Sequence, residues 1–375
     1  MLNPIAVPPP GAFIREELDA RGWTQRDLAY ILGCPEQAVN MILSGKRGIS
    51  PEMAKALGAA FDVSPELFAN LQQAYELSKA REPDPGVATR GRIQSSFPVR
   101  EMIKRGWLVE TNDPAMLEAQ LVRFFRAKTI NDVPHLSHAA KKSSYDDVPA
   151  PQLAWLFRVR NIAESMVVQK FSEAKLRDAL ENLRGLMLSP EETRHVPKVL
   201  AEAGVRFVLV EALPQSKIDG VCFWLDRASP VIGMSLRHDR VDNFWFVLRH
   251  EIEHVLRKDG QREEIIDAEL EGERAGVSDA IPEEERAANA AAADFVVPKA
   301  KMDNFIARVR PLYYEQKIVQ FARTVGVHPG IVVGQLQNRQ EIPYANLRKL
   351  LVKIRQFLVG SALTDGWGCV PQVMD

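Results

Sequence analysis

The stretch DNFWFVLRHEIEHVLRK (242–258) decides how this chain is read. Phe244, Leu248, Ile252 and Val255 recur at three- and four-residue intervals, so they share one face of a helix, and that face is expected to be buried. Asp242 or Asn243 suits the N-cap, where a short polar side chain accepts from an otherwise unsatisfied amide. His250 and His254 stand four residues apart, so their imidazoles project from one side of the helix a single turn apart. That spacing suits two ligands of a tetrahedral metal ion. Glu251 lies beside them and is placed to act as general base on a water activated by the metal. With seven histidines in the chain, chance placement of H-E-x-x-H is expected on the order of 0.01 times.

A structural zinc site would normally close its coordination sphere with cysteine or a further histidine. Neither occurs between 255 and 327, which favours a carboxylate as third ligand and an open fourth position. Residues 261–285 hold ten acidic side chains and two basic ones, so spacing alone does not choose among them. The helix EERAANAAAADFVVP (284–298) discriminates. Glu285, Ala288, Asn289 and Ala292 form one narrow face, and its small residues let this helix approach the H-E-x-x-H helix closely. Glu285 is then the expected third ligand and Asn289, one turn on, a hydrogen-bond partner of the ligand set. The plainer alternative makes Glu285 part of a solvated run, Glu283-Glu284-Glu285. Among the other histidines, only His135 and His138 share a short spacing, and they are read as ordinary polar residues. Tyr313 and Tyr314 serve equally well as packing residues.

A second motif lies near the start. WTQRDLAYILGCPEQAVNMILSGKRGIS (23–50) has the grammar of two short helices. Thr24 and Asp27 form a capping box. Leu28, Ala29, Ile31 and Leu32 give a buried stripe, Gly33 permits the tight turn, and Pro35 opens the next helix. Val39, Ile42 and Leu43 bury that helix, and Ser44-Gly45 ends it. Three short β-type segments, VRFVLVEAL (205–213), GVCFWLD (220–226) and PVIGMSL (230–236), read as a small sheet. Residues 82–96, rich in Pro, Gly and Ser, read as a linker. From Asp242 the pattern is helical nearly to the end.

Composition sets outer bounds. A chain of 375 residues with 46% hydrophobic and 26% charged residues supports two or three globular domains. Three scattered cysteines and no apolar leader predict a reducing cytoplasmic setting and no membrane span. The net charge of −1 gives no global pull toward nucleic acid. Residues 1–80 hold seven basic side chains against nine acidic, whereas 90–128 hold eight against four.

The order of these strands, the H-E-x-x-H helix and the later E-x-x-A-N-x-x-A-x-x-F-V-V-P (285–298) resembles the ImmA/IrrE family of metallopeptidase-like proteins, over about 195–350. The resemblance implies zinc held by His250, His254 and Glu285, with Glu251 as catalytic base. Ile252-Glu253 stand where the family often has Leu-Gly, and Phe295-Val296-Val297 where it often has Leu-Leu-Met. Neither departure removes a ligand. Residues 10–80 resemble the Cro/C1 (Xre) helix-turn-helix repressors, of the HigA-type antitoxin branch. This implies base readout by Glu36, Gln37 and Asn40, with phosphate contacts from Gln25, Lys46 and Arg47.

The expected architecture is mainly α with a small β-sheet. An all-α helix-turn-helix domain (1–80) and a helical connecting region (81–194) precede a zincin-like α+β domain (195–310) and a helical extension (311–375). The expected function is DNA-binding transcriptional control, as antitoxin or repressor of a toxin–antitoxin or mobile-element module, by a homodimer on operator DNA. The fused zinc domain leans toward an active endopeptidase. Cleavage of a partner repressor or toxin, or a sensor domain without catalysis, are the alternatives.

Overall fold

A computed structural model of the chain describes residues 7–134, 148–259, 261, 265–268 and 283–366. It divides into two compact units, Met1–Pro85 and Gly86–Asp375.

The first unit is all helical, with helices Pro10–Arg21, Gln25–Leu32, Glu36–Leu43, Pro51–Phe61 and Pro65–Lys79. The capping box at Thr24 forms in full, with its hydroxyl accepting from the Asp27 amide and the Asp27 carboxylate accepting in return. Gly33 sits at φ 63°, a left-handed turn that a side chain would strain. Ile14, Leu28, Val39, Leu43, Leu57, Phe61 and Phe68 fill one core. Ile31 departs from the expected stripe and is 43% exposed. At about 100° per residue it falls well outside the arc spanned by Leu28, Ala29 and Leu32.

The second unit is built on a five-stranded sheet in the order β4-β2-β3-β1-β5. Its strands are β1 (Arg206–Val210), β2 (Ile218–Trp224), β3 (Pro230–Met234), β4 (Ile265–Ala268) and β5 (Leu363–Asp365). β1 runs parallel to β3 and β5, while β2 is antiparallel to β3 and β4. Side chains alternate in the way a sheet covered on both faces requires. Phe207 and Leu209 face one core with Cys222 and Ile232, and Val208 and Val210 face another with Val221 and Val231. A register shift between Ile218 and Gly220 turns Ile218 to the second face, although it shares parity with Cys222.

The stretch at 82–96 differs from the linker expected of it. Helix Gly86–Ser96 begins after four residues without regular structure and a turn, and buries Ile93 completely. With helices Val99–Lys104, Pro114–Phe124 and Ala150–Ser165 it covers the second face of the sheet. Trp155 joins helix to sheet by donating to the Val210 carbonyl at 2.8 Å. Gly and Ser mark a loop only when no apolar stripe overrides them, and here one buried isoleucine per short helix was too sparse a stripe to read. The C-terminal stretch likewise returns to the sheet as β5, where Asp365 accepts from Trp107 Nε1 at 2.7 Å. A three-residue strand carries no periodicity to recognise. His135, His138, Cys369 and most of the acidic stretch 261–284 lie outside the described residues.

Helices Glu315–Val325 and Pro329–Asn338, joined through left-handed Gly326, repeat the helix–glycine–helix grammar of the first unit. Here every residue from Gly330 to Gln337 is buried, and the second helix packs on the H-E-x-x-H helix. It is a wall of the core and presents no surface to a groove.

Candidate metal centre and helix-turn-helix surface

The H-E-x-x-H helix spans Val241–Arg257 and directly follows the loop after β3. Its N-cap is Arg240, two to three residues earlier than expected, and no side chain caps it. The Val241 amide donates instead to the Val352 carbonyl at 3.0 Å, and Asp242 binds the Arg240 guanidinium. A tertiary partner therefore supplies what a local cap would have supplied. Phe244, Leu248, Ile252 and Val255 are buried as the periodicity requires.

His250 and His254 are completely buried, and their Nε2 atoms lie 3.0 Å apart. Helix Glu283–Val296 packs alongside, with Ala288 and Ala292 fully buried on the face that approaches. It brings Glu285 to within 3.3 Å of His250 Nε2 and 3.4 Å of His254 Nε2. These three side chains form a group able to hold a metal ion. Atoms bound at 2.0–2.1 Å around a tetrahedral ion stand roughly 3.3–3.4 Å apart, so the observed triangle is of the right size.

Hydrogen bonding fixes the ring tautomers. His254 Nδ1 lies 3.1 Å from an Asp259 carboxylate oxygen, and His250 Nδ1 lies 3.1 Å from Asn289 Oδ1. Both oxygens accept, so each Nδ1 donates, which leaves Nε2 of each ring to turn a lone pair inward as a ligand atom. Two imidazole lone pairs and a carboxylate then converge within 3.4 Å of one another. That arrangement is repulsive alone and becomes attractive around a cation. Asn289 thus occupies the position expected of it. Asp259 was not anticipated, since it lies beyond the helix and among many acidic residues; its signal was a carboxylate five residues after the second histidine. Asp259→Ala should weaken zinc affinity by about 10–100-fold with the fold retained, measured by competition with a chelator.

Glu251 is also completely buried. It lies over Gly220 in β2, where a Cβ would stand 2.0 Å from its Oε1. The strand therefore admits the carboxylate because position 220 lacks a side chain. Glycine inside a strand signals such an approach. Of the three possible ligands, only Glu285 has appreciable side-chain exposure, at 19%. Tyr313 is engaged elsewhere: its hydroxyl donates to Glu341 at 2.6 Å, and burial together with that carboxylate pushes its pKa up to about 12.

In the first unit, Gln25 begins one helix, while Glu36, Gln37 and Asn40 lie on the next, with Lys46 and Arg47 just after it. All six are exposed, while Val39, Ile42 and Leu43 anchor the opposite face. Glu36 lies 3.6 Å from Arg26 in an exposed pair, so that neighbour partly offsets the one acidic side chain in the set. The basic excess at 90–128 proves largely internal to the second unit. Arg92 binds Glu118, Arg126 binds Glu164, and Arg105 binds Glu101 and the carbonyls of Glu211 and Ala212.

The chain thus combines a helix-turn-helix unit with an α+β unit that holds a His-His-Glu group. Comparison with known proteins agrees. A helix-turn-helix family model matches residues 14–68, and the IrrE N-terminal-like domain matches residues 202–336. Virulence-associated protein A' of Dichelobacter nodosus is 41% identical over 83 residues, covering 22% of this chain and 70% of that protein. A helix-turn-helix-type transcriptional regulator of Escherichia coli (strain K12) is 33% identical over 75 residues, covering 20% of this chain and 80% of its own length. Among solved structures, a Pseudomonas aeruginosa protein in complex with its operator DNA is 36% identical, covering 21% of this chain and 83% of that one, with a TM-score of 0.19. A HigA-family addiction module antidote protein from Coxiella burnetii is 29% identical, covering 24% and 95%, with a TM-score of 0.20. The chain belongs to the helix-turn-helix family of transcriptional regulators and carries an IrrE-like, peptidase-family domain. Among the described residues no helix is long and apolar enough to cross a membrane.

Proposed function

We propose that this chain is a DNA-binding regulator whose second unit holds Zn²⁺ and hydrolyses a peptide bond in a partner protein. The observation that carries the reading is the convergence of His250, His254 and Glu285 beside a fully buried Glu251. Two imidazoles and one carboxylate match the ligand set of catalytic zinc rather than that of structural zinc. Bound Zn²⁺ supplies Lewis acidity toward a carbonyl and a nearby water. The chain's own contribution is placement. Asn289 and Asp259 hold the rings, and Gly220 leaves room for Glu251 to take a proton and return it to the leaving amine. A purely structural role would not require a buried carboxylate at 251.

The first unit directs this chemistry to a promoter. Gln37 and Asn40 lie on the exposed face of the second helix, the position from which helix-turn-helix proteins reach base edges. A homodimer would place two such helices about 34 Å apart, on successive major grooves. It would also double phosphate contacts that are sparse in each copy. Gln37→Ala should weaken binding to the chain's own promoter by about 1–3 kcal/mol while leaving the salt dependence unchanged. Fluorescence anisotropy across a salt series reads both quantities. Unaltered affinity would assign this helix to protein contact instead.

A further inference from the structure

The second unit carries a cavity that neither the metal group nor the helix-turn-helix uses. It lies between helices Lys299–Val309 and Glu315–Val325 and has a volume of about 550 Å³. That is within the range of small-molecule sites, roughly 300–1,000 Å³. Its floor is apolar: Phe305 and Phe321 stack with ring centroids 4.2 Å apart and planes 8° from parallel. Its rim is cationic, formed by Lys301, Arg308 and Lys317, and none of the residues lining it is acidic. None of these three cations makes an ion pair with the described residues. Arg308 Nε only reaches the Asn304 carbonyl of its own helix, at 3.3 Å. Elsewhere in the unit arginines are paired with carboxylates, as at Arg158–Asp365, Arg237–Asp219 and Arg249–Glu253.

We propose that this cavity binds a small amphipathic anion, with a flat apolar body against Phe305 and Phe321 and an acidic group held by Lys301, Arg308 and Lys317. An apolar floor with a few convergent charges is the usual composition of a ligand site. Three exposed cations on one rim raise the local concentration of anions, and their hydrogen bonds to an acidic group are of the stronger, charge-assisted kind. The regulator would then sense a metabolite through a site separate from its metal centre.

The test is isothermal titration of the full-length protein with 1-naphthoate and with its neutral counterpart 1-naphthamide. Naphthoate is expected to bind saturably and about tenfold more tightly than the amide, a preference that charge-assisted contacts supply. Lys301→Gln/Arg308→Gln/Lys317→Gln, all at exposed positions, should erase the preference without lowering the melting temperature. Thr324→Trp, which fills the cavity, should abolish binding of both probes. Arg323→Gln removes a neighbouring cation outside the cavity and should change nothing. Absence of saturable naphthoate binding up to millimolar concentration would overturn the proposal. So would a preference for the anion that survives in the triple variant.

Discussion

Glu251→Gln should leave the zinc content at its wild-type level and lower peptide hydrolysis by about 10²–10⁴-fold, the usual contribution of a positioned general base. Glutamine matches the size of glutamate, so the close fit over Gly220 is kept. The ligand rings are held at Nδ1 by Asn289 and Asp259. What the substitution removes is the capacity to take up a proton. The readout pairs metal analysis with single-turnover cleavage of the protein encoded beside this chain, followed by mass spectrometry. Cleavage at the wild-type rate would show that Glu251 is not the base, and loss of zinc would make it a ligand.

Gly220→Ala should have the second largest effect, through packing. An added Cβ would stand 2.0 Å from Glu251 Oε1 and 2.8 Å from its carboxyl carbon. Neither neighbour yields easily. β2 is hydrogen-bonded on both sides, by β3 and β4, and Glu251 belongs to a helix buried along most of its length. Overpacking of this kind costs about 1–3 kcal/mol. The expected result is a lowered melting temperature together with impaired hydrolysis and retained zinc. Calorimetry beside metal analysis checks it, and an unchanged melting temperature would show that the carboxylate does not rest on this strand.

Much of the metal centre could be read from the chain because its parts are periodic. His250 and His254 share a helix face by spacing alone, and Glu285 was singled out by the alanines that follow it at helical intervals. Gly220 and Asp259 were not seen. One lies on a strand distant in sequence, and the other follows a helix end where no period operates; only the folded chain brings them to Glu251 and His254. The three central strands announced themselves through β-branched and aromatic runs, whereas β4 and β5 are short edge strands whose pairing depends on the sheet already present. The segment from Gly86 to Ser96 has the composition of a loop, while its helix is secured by Ile93 in the core. In the first unit, local signals sufficed: the capping box at Thr24 and the glycine turn at Gly33 formed where their residues stand. Electrostatics was the weakest guide, because ion pairs within the second unit engage much of the basic excess at 90–128.

On the proposed function, His250, His254 and Glu285 hold one zinc ion. The most direct test of this is metal analysis by inductively coupled plasma mass spectrometry of the purified full-length chain, beside His250→Ala. The wild type should carry about one zinc per chain and the variant essentially none. A wild type without zinc, or a variant that retains its full complement, would contradict the account.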